Sequence, residues 1–279
     1  MHDKRIKPVY DLTDFLVSII RLVSCTHFKR TIPFKKRHAE CIIMGNGPSL
    51  LQSLEAYKDK LSTCDLIVVN DMGLSPEYEK YKPDVYVLCD PAYWLDNISS
   101  EETDRILYLY EQLVRKTDWP LQLYLPYIAK KEEKIQQILS RNTHIRLHYY
   151  NNTKVEGFKW FQYMILKRQW GMFRAQNVIV AALLLAIYFD YKQIYLMGAD
   201  SDWMKNLWVD EQNCLRLRDT HFYEGKIQDR IIPVSMSHQC AALYYLFRSY
   251  KEINRYASSK KIKIYNTYKY SFIDVFDKI

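Results

Sequence analysis

The sequence lacks the features that mark several large classes of protein. Its six cysteines lie far apart and form no C-x-x-C pair, which argues against a disulfide framework or a structural zinc site and favours a reducing compartment. The start of the chain also lacks a long apolar run: the longest one there, residues 15–20, is interrupted by Ser18 and followed by Arg21. We therefore expect neither a membrane-spanning helix nor the core of a signal peptide.

Glycine is scarce, with seven residues among 279, yet two of them, Gly45 and Gly47, fall within three positions. The rest of the composition is ordinary: 48% of the residues are apolar and 26% are charged, which excludes disordered, collagen-like and coiled-coil chains. A chain of this length can bury a large core, in one large domain or two small ones.

Acidic residues are few at one end of the chain. The formal net charge is +8, and residues 1–38 carry nine basic and three acidic side chains, a local balance of +6. Residues 39–279 are therefore nearly neutral. Because proteins that coat nucleic acid usually spread Lys and Arg over the working surface, we expect no nucleic-acid partner.

This basic N-terminal segment, residues 1–38, also contains an amphipathic helix. Its apolar side chains follow the i, i+3, i+4, i+7 spacing of one helical face. They are Leu12, Phe15, Leu16, Ile19, Ile20 and Val23. Such a helix beside a basic run can lie in the headgroup layer of an anionic membrane; alternatively, it packs on the body of the protein or on a partner subunit.

From residue 39 to residue 279, short apolar runs alternate with helical stretches. The apolar runs are the strand candidates, at 41–44, 66–69, 85–89, 121–125, 145–150, 194–197 and 262–265. The helix candidates lie at 50–60, 103–116, 130–139, 177–188 and 240–257. This order predicts one α/β domain with a doubly wound, mainly parallel, Rossmann-like sheet. Residues 202–236 show little periodicity, and we interpret them as a lid-like insertion.

Ligands of a doubly wound sheet bind beyond the carboxyl ends of its strands, so the residues that follow each strand form the candidate site. They are Gly45-Asn46-Gly47-Pro48-Ser49, Asn70-Asp71, Asp90-Pro91, Gly198-Ala199-Asp200 and Asn266. The glycine loop permits a tight turn, and the helix after it would direct its positive end at an anion, so we expect a phosphate-bearing ligand. A strand-to-helix turn without a ligand is the alternative. The loop lacks both the Lys-[Ser/Thr] of a P-loop and the third glycine of the dinucleotide fingerprint.

These segments resemble the nucleotide-binding half of the bacterial family 42 sialyltransferases. The similarity rests on residues 45–50, Asn70, Asp90-Pro91, residues 191–200 and residues 262–266. The same glycine loop also occurs in a broader group of hydroxymethylpterin diphosphokinase-like proteins and flagellin-glycosylation factors.

The resemblance implies a bacterial enzyme of lipopolysaccharide or capsule biosynthesis. From the cysteine pattern and the basic N-terminal segment we expect it in the cytoplasm, either free or peripheral on the inner face of the membrane. It would move a sialic or other nonulosonic acid from a CMP-activated donor to a cell-surface glycan or a lipid-linked precursor, as a monomer or a homo-oligomer. Two alternatives share the core: a diphosphokinase-like phosphate-group transferase, and a non-catalytic nucleotide-binding protein of envelope assembly.

The resemblance also implies a set of donor-binding residues. They are Gly45, Asn46, Gly47, Ser49, Asn70, Asp90, Gln176, Asn177 and Asp200. The family carries Asn at the position of Asp90. A carboxylate cannot donate a hydrogen bond at neutral pH, so the contact of Asp90 with the base or ribose must differ.

Catalysis in the family is an inverting displacement in which a histidine accepts the proton of the acceptor hydroxyl and tyrosines stabilise the departing phosphate. It needs no cofactor beyond the sugar nucleotide. His221 and His238 lie where the family holds its base; we favour His238 as the base and His221 as a site residue, with Tyr223 as the phosphate-contacting tyrosine. A second interpretation is that Asp200-Ser201-Asp202 binds magnesium or manganese between two phosphates.

Overall fold

The computed structural model describes residues 7–31, 34–94, 99–219 and 228–279. Its strands are β1 (Glu40–Met44), β2 (Asp65–Val69), β3 (Val85–Val87), β4 (Leu121–Pro126), β5 (Ile145–Tyr150), β6 (Gln193–Met197), β7 (Leu207–Val209), β8 (Leu215–Asp219), β9 (Gln228–Ile231), β10 (Lys263–Asn266) and β11 (Asp277–Lys278). Its α-helices are α1 (Lys7–Cys25), α2 (Leu50–Ala56), α3 (Lys58–Leu61), α4 (Pro76–Tyr81), α5 (Ser100–Lys116), α6 (Glu133–Leu139), α7 (Lys159–Arg168), α8 (Val178–Tyr188) and α9 (Met236–Ser259).

Within the described ranges, eight strands form one parallel sheet in the order β11-β10-β6-β1-β2-β3-β4-β5. All seven strand candidates are present, and the doubly wound Rossmann-like fold is confirmed. The strands β2 to β5 extend to one side of β1, whereas β6, β10 and β11 extend to the other. The strand order therefore reverses between β1 and β6, which makes this pair the switch point of the sheet.

The core lies on both faces of this sheet. Alternate side chains of a strand point to opposite faces, and in β1 Cys41 and Ile43 join one buried cluster while Ile42 and Met44 join the other. The first cluster includes α8, whose residues 178–187 are all buried, together with the inner faces of α7 and α9. The second cluster includes α2, α4, α5 and α6. Burial on both faces explains why the strand sequences are apolar throughout.

The insertion at 202–236 differs from the expectation of little periodicity. It contains β7, β8 and β9, which form a three-stranded antiparallel sheet within the described residues. In β8, Leu215 and Leu217 are buried and alternate with the partly exposed Arg216 and Arg218. This period-two pattern is typical of a strand with one covered face.

The helix α1 packs on the segment that leads into α7. The ring centre of Phe15 lies 4.7 Å from that of Phe161, edge to face, and Leu22 is buried beside Val155. Gly157 adopts a φ of +97°, and a Cβ there would lie 2.7 Å from the backbone nitrogen of Phe15. Across the described residues, none of the helices is both long and apolar enough to span a membrane.

Candidate functional site

A cavity of about 460 Å³ opens at the carboxyl ends of β1 and β6, at the switch point of the sheet. Its inner wall comes from the turns after β1, β2 and β6 and from the start of α8: Gly45–Pro48, Val69, Asn70, Asn177–Ile179 and Gly198–Trp203. Its outer wall comes from the insertion and from α9: Leu217, Arg230–Pro233 and Gln239. A cavity of this size, at this place in the fold, is typical of a small-ligand site.

Two glycine turns interlock to form the floor of the inner wall. The N–H of Gly45 donates to Met197 O over 2.8 Å, and the N–H of Gly47 donates to Gly198 O over 2.9 Å. A Cβ at Gly45 would lie 2.4 Å from Gly198 O, and one at Gly198, whose φ is +67°, would lie 2.6 Å from Gly45 O. Neither turn could approach the other so closely with a larger residue in these positions.

Ser49 ties the same two turns together through its side chain. Its hydroxyl makes no capping bond to α2 but donates to Asp200 Oδ2 over 2.9 Å. Both residues are buried, and burial raises the pKa of the Asp200 carboxyl above its ordinary value. Ser49 therefore positions the carboxylate of Asp200, and its hydroxyl is committed to this bond.

Asn46 and Asn70 line the cavity, and each has a buried amide oxygen without a hydrogen-bond partner among the described residues. The Nδ2 of Asn46 donates to Val69 O over 3.3 Å, whereas its Oδ1 is buried and has no hydrogen-bond partner among the described residues. The Oδ1 of Asn70 is also buried and has no hydrogen-bond partner among the described residues. Asn70 adopts a left-handed backbone with a φ of +49°. A buried acceptor without a donor costs about 1–3 kcal/mol, so a ligand carrying hydrogen-bond donors would be stabilised here.

Both polar atoms of the Asn177 side-chain amide are used in hydrogen bonds within the protein. Its Oδ1 accepts from Val180 N over 3.3 Å at the start of α8, and its Nδ2 donates to Tyr250 Oη over 2.8 Å. The Tyr250 hydroxyl also lies 3.2 Å from Ser201 Oγ. These bonds join α8, α9 and the turn after β6.

Two of the donor-binding candidates lie away from the cavity. Asp90 is exposed, and its Oδ1 accepts from Ala92 N over 3.0 Å, which caps a short 3-10 helix at Pro91–Tyr93. Gln176 is also exposed, next to the start of α8. The structure thus brings Gly45, Asn46, Gly47, Asn70, Asn177 and Asp200 to the cavity wall and places Ser49 directly behind it.

Of the catalytic candidates, His238 lies in the first turn of α9 and is exposed. Its Nδ1 is 2.8 Å from Ser235 Oγ, and the next residue, Gln239, lines the cavity. His221 and Tyr223 fall outside the described residues.

Both carboxylates of the Asp200-Ser201-Asp202 turn have hydrogen-bond or ion-pair partners within the protein. The carboxylate of Asp202 pairs with Lys205 over 3.0 Å, and that of Asp200 accepts from Ser49. Across the described parts of the chain, no group of three or more His, Cys, Asp and Glu side chains could hold a metal ion. The proposal of a bound cation therefore rests on the two aspartates alone.

Sequence reasoning does not find Arg230, which provides the positive charge of the outer wall. Arg230 lies opposite Leu217 in the β8–β9 pair, so both side chains project from the same face, and both line the cavity. Among the described lining residues it is the one Lys or Arg. The alternation of leucine and arginine in β8 is the signal that could have revealed the strand, although not its partner.

The fold and the site define a Rossmann-like α/β protein with a ligand cavity at the switch point of its sheet. No protein-family model matches the chain, and no curated protein does. Among solved structures, it is similar to the MAf glycosyltransferase from Magnetospirillum magneticum AMB-1, with a TM-score of 0.54 and 12% identity over 95% of this chain. The chain spans 37% of the length of that structure. This likeness shows a shared fold, and the resemblance to the family 42 sialyltransferases stays a prediction.

Proposed function

We propose that this chain is a glycosyltransferase that moves a sialic or other nonulosonic acid from a CMP-activated donor to a glycan or a lipid-linked acceptor. The observation that carries the proposal is the cavity at the switch point, whose lining includes Arg230 together with Asn46 and Asn70, two asparagines whose buried amide oxygens have no hydrogen-bond partner among the described residues. The fold shared with a glycosyltransferase supports the reaction class. The motif resemblance at residues 45–50, 191–200 and 262–266 supports the CMP donor.

In this proposal the donor bridges the two walls. Asn46 and Asn70 accept hydrogen bonds from the ribose hydroxyls or the exocyclic amine of the base, which satisfies both amide oxygens. Arg230 donates charge-assisted hydrogen bonds to the phosphate. The carboxylate of Asp200 offers only acceptors, so we place the phosphate on the Arg230 side of the cavity and sugar or ribose hydroxyls near Asp200.

The chemical step is a displacement at the anomeric carbon. The acceptor oxygen forms a bond to that carbon, the bond from the carbon to the phosphate oxygen breaks, and CMP leaves with the electron pair. The proton of the acceptor hydroxyl passes to His238. The Nδ1 of His238 lies 2.8 Å from Ser235 Oγ, and we propose that it donates this bond, so that Nε2 keeps the lone pair that the role requires. His221 and Tyr223 remain our proposals for further residues near the reacting centre.

The test is a panel of donors offered to the full-length chain: CMP-, UDP- and GDP-linked sugars and ATP, with binding followed by calorimetry and turnover by nucleotide release. We expect binding and slow hydrolysis of a CMP-nonulosonic acid. ATP-dependent phosphate transfer would instead identify the diphosphokinase-like alternative. Binding without turnover, with His238→Ala fully functional in cells, would favour the non-catalytic alternative, and no binding of any nucleotide would overturn the proposal.

Variants of the two asparagines sharpen the test. Asn46→Ala and Asn70→Gly each remove one acceptor, and glycine tolerates the left-handed backbone at position 70. We expect each to weaken donor binding roughly tenfold, as the loss of one hydrogen bond in a desolvated site does. Gln176→Ala is the matched control, because this side chain is exposed and outside the cavity wall.

A further inference from the structure

The apolar side chains of α1 form one broad arc, and only part of this arc is covered. The covered face contains Phe15, Ser18 and Leu22: the ring of Phe15 packs on Phe161, and Ser18 Oγ accepts from the N–H of Glu156 over 2.8 Å. These contacts fix the orientation of the helix on the body of the protein. Five aliphatic side chains of α1, each at least 49% exposed, point away from that body.

These uncovered side chains form one stripe, which we call the α1 stripe. Its members and their exposed fractions are Val9 62%, Leu12 49%, Leu16 52%, Ile20 67% and Val23 74%. Steps of three and four residues place all of them on a single side of the helix, over a length of about 21 Å. So large an array of exposed aliphatic side chains on one helix marks an interaction surface.

Aromatic side chains extend the α1 stripe at its margins. Trp160 is 62% exposed, and its ring centre lies 6.0 Å from that of Phe15. Phe28, which follows the helix, is 56% exposed and packs edge to face on Trp170. Tryptophan and phenylalanine are favoured where protein meets the boundary between headgroups and acyl chains.

The charges around the α1 stripe select among possible occupants. The acidic residues of the helix, Asp11 and Asp14, lie one turn before Phe15 and Ser18 and so belong to the covered side. Beyond the end of the helix, Lys29, Arg30 and Lys35 are exposed, and the described structure shows no ion pair for them. The surface that is open to a partner is therefore apolar along its length and basic at this end.

A second copy of the chain would fit this surface poorly. By sequence, Lys4, Arg5 and Lys7 precede the stripe, and Lys29 and Arg30 follow it. Both ends are basic, so pairing two such helices would bring like charges together in either the parallel or the antiparallel orientation. An anionic surface has no such conflict.

We propose that the α1 stripe binds the surface of an anionic lipid membrane, with α1 lying flat in the headgroup layer. Its aliphatic side chains enter the boundary of the acyl chains, and the lysines and arginine beyond its end contact lipid phosphates. The proposal does not depend on the reaction that the cavity supports.

The test is co-sedimentation of the full chain with lipid vesicles, either neutral phosphatidylcholine or a mixture with phosphatidylglycerol. We expect binding to the anionic vesicles and at least tenfold weaker binding to neutral ones. The triple variant Leu16→Ser/Ile20→Ser/Val23→Ser should lose binding by more than tenfold. Lys29→Gln/Arg30→Gln should weaken binding to anionic vesicles roughly tenfold and leave the weak neutral binding unchanged.

A matched control is Leu51→Ser/Val209→Ser/Val234→Ser, which alters three exposed aliphatic side chains outside α1, at 48%, 49% and 44% exposure. This variant should bind vesicles as the unaltered chain does. Thermal unfolding should show that both triple variants fold, because every altered side chain is exposed. Deleting α1 would be a poorer test, since it would uncover Val155, Phe161 and Ile165.

Three outcomes would overturn the proposal. The first is a chain that binds neither kind of vesicle. The second is equal loss of binding in the two triple variants. The third is a dimer in analytical ultracentrifugation that the α1 triple variant, and not the control, converts to a monomer, because the surface would then be occupied by a second copy.

Discussion

The two walls of the cavity are built in different ways. The inner wall is backbone against backbone: Gly45 and Gly198 interlock, and a side chain at either position would meet a carbonyl oxygen of the other turn. The outer wall is a short antiparallel sheet that presents side chains, among them Arg230 and Leu217. The inner wall therefore tolerates little change, whereas the outer wall can change its chemistry without altering the main sheet.

The largest effect should come from adding one carbon to the inner wall. In Gly45→Ala, the Cβ would lie 2.4 Å from Gly198 O, a backbone atom that cannot rotate away. We expect a loss of about 3 kcal/mol or more in the free energy of unfolding and more than hundredfold weaker nucleotide binding. Urea denaturation and calorimetry measure the two effects.

The control for this variant is Gly73→Ala. A Cβ there would lie 2.6 Å from Leu113 Cδ2 and 3.0 Å from Leu109 Cδ1, the ends of side chains that can shift. It should cost less stability and keep nucleotide binding. If Gly45→Ala behaves like this control, the two turns are not rigid and the contrast between the walls is lost.

A smaller effect, confined to binding, is expected from the outer wall. Arg230→Ala removes a positive charge from the cavity lining, and we expect roughly ten- to hundredfold weaker binding of the nucleotide, as the loss of a charged hydrogen bond causes. The free energy of unfolding should change little, because Arg230 is exposed at the edge of the insertion. Calorimetric titration with CMP at two salt concentrations provides the measurement.

Arg218→Ala is the matched control on the neighbouring strand, where Arg218 pairs with Asp229 over 2.9 Å and is 53% exposed. It should leave the affinity within about twofold of the original value. Equal weakening by the two variants would mean that the outer wall acts through its general charge and that Arg230 has no specific contact with the ligand.

The contrast between the walls also explains what the sequence can predict. The strands β1 and β2 are covered on both faces, so burial leaves an uninterrupted apolar run that is visible without a structure. The residues after such strands must reach the same rim of the sheet, which is why Asn46, Asn70 and Asp200 are found by position alone.

The position of a residue after a strand does not tell how far along the rim of the sheet it lies from the cavity. Asp90 follows β3, which lies two strands from β1, and the chain there turns into the short helix that Asp90 caps. Position after a strand places a residue at one edge of the sheet, but the cavity occupies only the part of that edge at the switch point. Strand order decides whether the residue lies at the cavity or further along the edge, and the sequence does not reveal strand order.

Side chains on half-covered elements are harder to predict. In the outer wall, only Leu215 and Leu217 mark β8 as an apolar strand. The position of Arg230 depends on the pairing of β8 with β9, which lies further along the chain. In α1, the docked Phe15 and the exposed Leu16 belong to one broad apolar arc. Helical spacing identifies such an arc, but only packing shows which part of it is covered.

The smallest effect should come from Asp200, the buried carboxylate of the inner wall. Burial raises the pKa of Asp200 above the ordinary aspartate value of 3.8, and the nearby Asp202 adds to the rise. A carboxyl with a raised pKa in the folded state favours folding only while it is protonated, and this contribution is lost as pH rises through the folded-state pKa.

Asp200→Asn keeps an acceptor for the Ser49 hydroxyl and cannot ionise. The variant should therefore gain stability over the original chain as pH increases from about 4 to 8, with the gap closing at the acid end. Urea denaturation across this range measures the gap, with Asp59→Asn as the control, because that side chain is exposed and lies outside the cavity wall. A gap that stays constant with pH would mean that the pKa of Asp200 is the same in the folded and the unfolded chain, so that burial in the inner wall does not disfavour its charged form.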